Sequence, residues 1–576
     1  MTNPFEVWRK LRDIYLKYID TGLPIGHKEL EDERKALLLE TDAICKWPII
    51  ELTKKYPELC TVEEACLSAK LDTGFAEFAK SGLFPDRNGE KSKLYPHQYQ
   101  AFHKAAAERK NIIATTGTGS GKTECFLLPL LYDIYCEKKK NQGKGDTPSA
   151  IRGLILYPLN ALAEDQMRRL RRTLSSEAAI RFMDEKLGGQ RITFGRYTGV
   201  TPISGRKNPT NRSRLNKELD DLTEDWKKAK QIADTSGDSD YLFDIPNMDS
   251  GVKAEYWDRW TMQHDPPDIF ITNYSMLNII LMRQHEENIF DQTRKWLKSD
   301  PSNVFHLVID ELHSYKGTSG TEVAYLIKLL LIRLDLTPDS PQVQFLCSSA
   351  SMQTSDRTKR FVTGFFGVNE PDYEQSFVMI QDEARAMEMG DFEKLDLGAY
   401  LRLTDVTDNI VIKSRFAKDD ILGRLKSVVK RAEPSENIAM ELFGSSGGDA
   451  MLALENILKN LYLLTNEKGE VQQPIRAHYF FRNIDGLWAC SNPNCTEIAP
   501  EYKYEDRKIG RLYRNSQVTC KCGCSILEVL LCRQCGELYL GGWESRDQKG
   551  SMLTVEREIF NDKAQYFTIY PSNESE

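Results

Sequence analysis

No run of apolar residues in this 576-residue chain approaches the ~18 to 20 that a membrane-spanning helix requires. The opening stretch MTNPFEVWRKLRDIY lacks an apolar leader core, because charged and aromatic residues are mixed through it. Both absences point to a protein that works in the cytoplasm with no membrane partner. Positive charge is not in excess either: 77 Lys and Arg stand against 85 Asp and Glu, a net charge of −8. That balance gives no support to a general basic coat, but a protein that tracks a nucleic-acid strand needs only a local basic groove. No internal repeat or low-complexity tract is long enough to set the architecture.

Cysteine, by contrast, is plentiful. Thirteen cysteines in a chain without a leader read as reduced thiols or metal ligands, not as a disulfide framework. Six are scattered (Cys45, Cys60, Cys66, Cys125, Cys136, Cys347) and read as small buried hydrophobes, while seven crowd between Cys490 and Cys535.

The length predicts several domains. Residues 1–90 carry helical periodicity, as in EVWRKLRDIYLKYI, and predict an accessory helical domain. Over residues 91–365 the short apolar runs NIIAT, GLILYP, DIFIT, HLVID and QFLCSS alternate with helical stretches. Such runs suit an α/β domain with a parallel sheet buried on both faces. Residues 205–265 interrupt the alternation with a charged helix and a Ser/Gly/Asp loop and are expected to be an insertion. The NKEL there lacks the Asp of a guanine-reading NKxD motif, since Leu219 stands in its place. Residues 366–475 predict a linker or accessory domain, 476–545 a cysteine-rich module and 546–576 a terminal segment.

The stretch ATTGTGSGKTE, Ala114 to Glu124, has the parts of a phosphate cradle: a strand-like run, glycines that let the backbone approach an anion, and the start of a helix. Thr118, Gly119, Ser120, Gly121, Lys122, Thr123 and Glu124 are the expected ATP-binding residues. Lys122 would reach the β and γ phosphates and Thr123 would ligate Mg²⁺. The general pattern wants Gly where this chain has Thr116. A carboxylate at the end of a second strand is needed, and HLVIDELH supplies Asp310 for Mg²⁺ and Glu311 to orient and deprotonate the attacking water. Alone, DELH would also suit an acidic helix start.

These motifs resemble the first, RecA-like motor lobe of superfamily 2 DExH-type helicases, whose version of the loop accommodates Thr116. Others follow in that family's order. LYPHQYQA resembles the adenine-reading Q motif, with Gln98 its reader; LILYPLNALAEDQ resembles motif Ia, YTG motif Ib, TNYSML motif Ic, and SSASM motif III. The resemblance implies that His313, Ser349 and Ser351 couple the ATP site to movement, with Ser351 where Thr is usual. It implies DNA or RNA contacts at Pro158, Asn160, Thr198, Gly199, Thr272 and Asn273, made by groups that meet phosphate without reading sequence. Arg168, with Arg169, Arg171 and Arg172, would add a positive stripe on a helix, although charge runs also occur as solvated faces. KKKNQGKGD reads as a solvated loop. More narrowly, ATTGTGSGKTECFLLPLL, DELHSYKGTSGTEVA and HYFFRNIDGLWACSNPNC resemble large bacterial antiviral-defence helicases of the Druantia and DISARM types.

The cysteine cluster runs Cys490-x4-Cys495, Cys520-x-Cys522-x-Cys524 and Cys532-x2-Cys535. Paired thiolates at such spacing suit a structural Zn²⁺. Cys490, Cys495, Cys520, Cys522, Cys532 and Cys535 are the candidate ligands; which four coordinate is open, an iron–sulfur cluster is the chemical competitor, and free thiols are the bland alternative.

The second RecA-like lobe, whose arginines would stabilise the γ phosphate, is missing from the motif series. RKIGRLYRN has the spacing of its QxxGRxxR pattern at Gly510, Arg511 and Arg514 but lies among the cysteines. The expectation is therefore an ATP-dependent helicase or translocase that is incomplete alone and hydrolyses ATP weakly. A second lobe would come from a longer chain or a partner subunit. The alternative is an ATP- and nucleic-acid-binding scaffold or switch. Small-molecule kinases do not predict motifs Ia, Ic and III in series.

Overall fold

The structure is a computed structural model. It describes all residues except 1–2, 41–42, 54–55, 87–90, 118, 144–146, 159, 204, 206, 238–239, 249–253, 382–391, 407, 467–468, 485, 548–549, 556–564 and 572–576. The chain divides into two compact units, Lys55–Arg385 and a discontinuous unit of Met1–Lys54 with Ala386–Glu576.

Lys55–Arg385 is built on eight strands: β1 (Asn111–Thr115), β2 (Gly153–Tyr157), β3 (Phe194–Arg196), β4 (Glu255–Tyr256), β5 (Ile269–Asn273), β6 (Phe305–Ile309), β7 (Val343–Ser348) and β8 (Phe377–Gln381). All pair in parallel, in the order β8-β1-β7-β6-β2-β5-β3-β4. Every residue of β2, β6 and β7 is buried, as expected of strands with helices on both faces. This is the RecA-like α/β fold the motifs imply. Its helices include α1 (Pro96–Phe102), α2 (Lys122–Lys140), α3 (Asn160–Leu174), α4 (Pro209–Ser236), α5 (Tyr274–Met282) and α6 (Gly317–Arg333). Strands β1, β2 and β5 run at their carboxyl ends toward α2, α3 and α5, so the motif residues gather at one edge of the sheet.

The opposite edge is held by buried charge. Arg152, just before β2, donates two hydrogen bonds of 2.7 Å to Glu137 and lies 2.8 Å from Asp268. Lys138 meets the same Asp268 oxygen at 3.2 Å, and the other Asp268 oxygen accepts from the Thr193 amide and hydroxyl at 2.7 and 3.0 Å. Burial opposes the charge on Asp268, but Lys138 and Arg152 outweigh it and hold the carboxyl below its ordinary range.

The boundaries differ from those expected. The 1–90 segment is divided: Phe75 and Phe78 pack on Tyr135 of α2, whereas Ile49–Leu52 pairs antiparallel with Ile475–His478 in the other unit. In that unit buried Glu33 accepts from Arg507 at 2.6 Å and from the Leu512 amide at 2.9 Å. A carboxylate that is itself buried fixes its partners, so 1–54 joins the C-terminal part. The parallel sheet also extends past 365, because β8 pairs with β1, and β4 brings the 205–265 insertion back into the sheet through β3. Residues between 392 and 463 supply a helical core, with Tyr400, Leu425, Ile438, Leu454 and Ile457 buried in it. In the same unit the strands Leu512–Tyr513, Trp488–Cys490, Ile526–Leu531, Leu538–Asp547 and Gly550–Thr554 follow one another in an antiparallel sheet, with Tyr566–Ile569 also on Leu538–Asp547.

Candidate nucleotide site and cysteine centre

Strand β1 delivers the chain into the glycine-rich turn, and α2 leaves it. Gly119 and Gly121 adopt positive φ of 77° and 79°. At Gly121 a Cβ would also lie 2.2 Å from the Gln98 amide nitrogen, so both conformation and space demand glycine. Thr116, where a Gly is usual in other phosphate loops, is buried, and its hydroxyl lies 2.5 Å from that of Ser120, closing the turn from within. Thr118 lies outside the described residues.

Lys122 opens α2, and its ammonium stands 3.4 Å from Glu311 Oε1. That exceeds the ~2.8 Å of a close charge-assisted bond. Asp310 and Glu311 follow β6, and Glu311 adopts φ 51°, a left-handed conformation uncommon for this residue type. Asp310 Oδ1 accepts from the Ser348 hydroxyl and from the Glu311 amide, the latter at 3.0 Å. Burial pushes the Asp310 carboxyl above its ordinary range. A half-buried carboxyl whose charge burial opposes, at the end of a strand beside the phosphate turn, is a fitting seat for a cation. His313 Nδ1 lies 3.1 Å from Glu311 Oε2 and 3.2 Å from the Ser349 hydroxyl, which ties β6 to β7. Ser351 is exposed. Ser348, which sequence reasoning passed over, is the serine that touches Asp310.

Gln98 is buried with both ends of its amide engaged, accepting from the Tyr95 amide at 2.9 Å and donating to the Gly121 carbonyl at 3.2 Å. It therefore grips the phosphate turn itself. Tyr56 and Tyr95 lie beside it, their ring centroids 5.5 Å apart, and His97 meets the Ser120 carbonyl at 2.8 Å. Tyr56 sits far upstream of the motif series, which is why spacing did not reveal it. Glu124 pairs with Arg169 through one oxygen while the other lies against Gly121, and Thr123 is half-buried at the helix start.

Of the expected strand-contacting residues, the structure brings some together and turns others inward. Asn273 caps α5, accepting from the Met276 amide at 2.8 Å, and donates to Asn160 at the start of α3 at 2.7 Å. Asn160 and Gly199 are exposed, and Pro158 and Asn273 are half-buried. Thr198 and Thr272 are fully buried, with the Thr272 hydroxyl donating to the Tyr197 carbonyl at 2.8 Å. They shape the surface from below without presenting a hydroxyl to it. The arginine stripe is neutralised: Arg168 pairs with Asp244 at 2.8 Å, Arg171 with Glu255 at 2.8 Å, Arg172 with Asp240 at 2.5 Å, and Arg169 with Glu124.

In the other unit Cys490, Cys495, Cys520 and Cys522 bring four sulfurs within 4.8 Å of one another. The Cys490–Cys522 and Cys495–Cys520 sulfurs are 3.4 and 3.5 Å apart, close to the ~3.8 Å edge of a tetrahedron with ~2.3 Å metal–sulfur bonds. Gly510 fits between the two loops, where a Cβ would meet Cys490 Cβ at 2.6 Å and Cys495 Cβ at 2.9 Å. The GRLYR segment thus belongs to this centre, with Leu512–Tyr513 pairing Trp488–Ala489. Burial opposes ionisation of Cys520, yet the Tyr513 hydroxyl and the Cys522 amide outweigh it and bring the thiol down to about 7. Cys532 and Cys535 do not join the cluster. The strand Ile526–Leu531 intervenes, and six extended residues span ~20 Å.

Residues 95–197 match the DEAD/DEAH box helicase family, and residues 512–576 match the YjiV N-terminal domain. The chain is 28% identical over 621 residues to Druantia protein DruE of Escherichia coli (strain UMEA 4076-1), covering 94% of this chain and 33% of that protein. It is 26% identical over 272 residues to the ATP-dependent helicase YprA of Bacillus subtilis (strain 168), covering 47% of this chain and 25% of that one. Among solved structures it is similar to the DUF1998 helicase MrfA bound to DNA, with 21% identity, TM-score 0.33, and 62% of this chain and 35% of that chain covered. The chain spans about a third of DruE and a quarter of YprA. It carries a DEAD/DEAH box helicase domain and is a homologue of DruE along nearly its whole length.

Proposed function

We propose that Lys55–Arg385 is the ATP-binding lobe of a nucleic-acid helicase or translocase that works in the cytoplasm, in antiviral defence as its DruE relationship suggests. One observation carries the reading: Lys122, Asp310 and Glu311, 189 residues apart at the extremes, converge at the carboxyl ends of β1 and β6, on either side of β7. Lys122 neutralises the β and γ phosphates, and Glu311 takes the proton of the attacking water. Asp310 and Thr123 would hold Mg²⁺, which offsets phosphate charge when bound. Tyr56 and Tyr95 offer faces for the adenine, and Gln98 holds the loop beneath it. Asn160, Gly199 and Asn273 meet the backbone of DNA or RNA. The four-sulfur set of Cys490, Cys495, Cys520 and Cys522 would hold a structural zinc, since among the described residues no His or carboxylate joins the four sulfurs.

Among the described residues the remaining sheets are antiparallel, so the arginines of a second lobe come from a longer chain or a partner. Such arginines are worth ~10³ to 10⁵ in related phosphoryl transfers. The test is strand-stimulated ATP turnover by residues 1–576 alone and with the remaining chain of the homologue supplied. Weak turnover alone, rising on addition and lost in Glu311→Gln with ATP binding spared, is expected. Robust unwinding by 1–576 alone would overturn the dependence on a second lobe. Turnover unaffected by Glu311→Gln would overturn the assignment of the base.

A further inference from the structure

Residues 186–217 hold eight Lys and Arg and no Asp or Glu, inside a chain of net charge −8. The stretch contains the Tyr197–Gly199 loop and ends in the first turns of α4. The arginines of α3 are each paired with a carboxylate, but at this end of α4 matters differ. Lys207, Arg212, Arg214 and Lys217 are exposed. Arg214 has Glu218 at 3.1 Å and Lys207 lies over the Trp260 ring at 5.9 Å, while Arg212 and Lys217 make no ion pair among the described residues.

Helix stability does not account for this charge. The first turn of α4 has no acidic residue, and cations near a helix N-terminus oppose its dipole. Packing does not account for it either. The buried residues of α4 are Trp226, Ala229 and Ala233, all in its second half. Leu222 lines a 190 Å³ cavity together with Val200, Thr201 and Pro202, so α4 passes beside the loop that carries Gly199. At 1.5 Å per residue, Arg212 then stands ~15 Å along the helix from that loop. That is about two Debye lengths at physiological salt, so the tip acts on an anion that passes it and not on one held at Gly199 alone.

We infer that the cationic tip of the insertion helix, Lys207, Arg212, Arg214 and Lys217, is a second contact for the sugar–phosphate backbone of a nucleic-acid strand, lying beyond the Asn160–Gly199–Asn273 surface. The inference rests on the nucleic-acid reading above. The tip adds no base recognition, because ammonium and guanidinium groups on an exposed helix end meet phosphate of any sequence. It lengthens the footprint and steepens the salt dependence.

The experiment measures binding of residues 1–576 to labelled single strands of about 10 and about 30 nucleotides over a salt series, the shorter being near one domain's site size. The variant is Lys207→Gln/Arg212→Gln/Arg214→Gln/Lys217→Gln, and Lys227→Gln/Lys228→Gln/Lys230→Gln serves as a control on the same helix. The expected result is that the tip variant loses about tenfold in affinity for the long strand at low salt, with a log–log salt slope lower by ~2 to 3. The short strand is bound as by wild type, which also shows that the variant is folded. Equal long-strand affinity and slope in wild type and tip variant, with wild type binding both strands, overturns the inference alone. An equal loss in the control variant overturns it too, since net charge would then explain the effect. Failure of wild type to bind either strand overturns the nucleic-acid reading and this inference with it.

Discussion

At the amino edge of the parallel sheet Arg152 is buried against Glu137 and Asp268, and Lys138 and Thr193 complete the carboxylate. At the carboxyl edge of the same sheet Lys122 meets one carboxylate at 3.4 Å, Asp310 is half-buried with its acidity weakened, and Glu311, Gly119 and Gly121 hold left-handed conformations. The first edge satisfies its charges within the chain, as a structural ion cluster must. The second sets a cation, two carboxyls and a left-handed turn facing one another, an arrangement that suits an anionic ligand and its metal. The difference separates charge satisfied within the fold from charge that, in the function proposed above, serves a ligand.

Substitutions should therefore divide by edge. The largest effect on stability is expected from Arg152→Ala, which removes the guanidinium shared by Glu137 and Asp268 and should cost ~3 to 5 kcal/mol in denaturant unfolding. A cost under ~1 kcal/mol there would remove the contrast. Glu311→Gln should lower strand-stimulated turnover by ~10² to 10⁴, the usual worth of a general base, with an unfolding midpoint close to wild type. Ser348→Ala should be intermediate in kind: it removes a donor to Asp310 and should cost ~1 to 3 kcal/mol together with weaker Mg²⁺-dependent nucleotide binding. The smallest effect is acid sensitivity. The Asp268 carboxyl is depressed in the fold, so its contribution is present above the ordinary Asp range and is lost as pH falls below it. Asp268→Asn should flatten that acid-side loss in a pH series of unfolding midpoints.

The cysteine centre extends the comparison to a cluster of four sulfurs that could hold a metal ion. Cys490→Ser and Cys520→Ser should each release zinc, read by metal analysis, whereas Cys532→Ser should not.

The strands NIIAT, GLILYP, DIFIT, HLVID and QFLCSS were legible because they are buried on both faces, and β1, β2, β5, β6 and β7 fall on them. The edge strands β4 and β8 were not, since two residues of β4 and a mixed segment at β8 carry no buried run. Spacing gave Lys122, Asp310 and Glu311 because a phosphate turn and a strand-end carboxylate have fixed local patterns. It did not give Tyr56 or Ser348, whose roles come from tertiary placement. The arginine stripe of α3 was misleading for the same reason: its partners Asp240, Asp244 and Glu255 lie in the insertion, 68 to 84 residues away. Which sulfurs gather was also illegible, because the strand Ile526–Leu531 carries Cys532 away from Cys520 and Cys522.

The carboxyl edge is proposed to be shaped for ATP and not for the fold. It is tested by thermal unfolding of wild type and Lys122→Ala with and without ATP and Mg²⁺. Without nucleotide the two should unfold at nearly the same temperature. With nucleotide at about 100 times its dissociation constant, wild type should gain ~2.7 kcal/mol of stability, and Lys122→Ala should gain almost none. Equal stabilisation of the two by ATP, or a Lys122→Ala chain that unfolds far earlier in its absence, would contradict the claim.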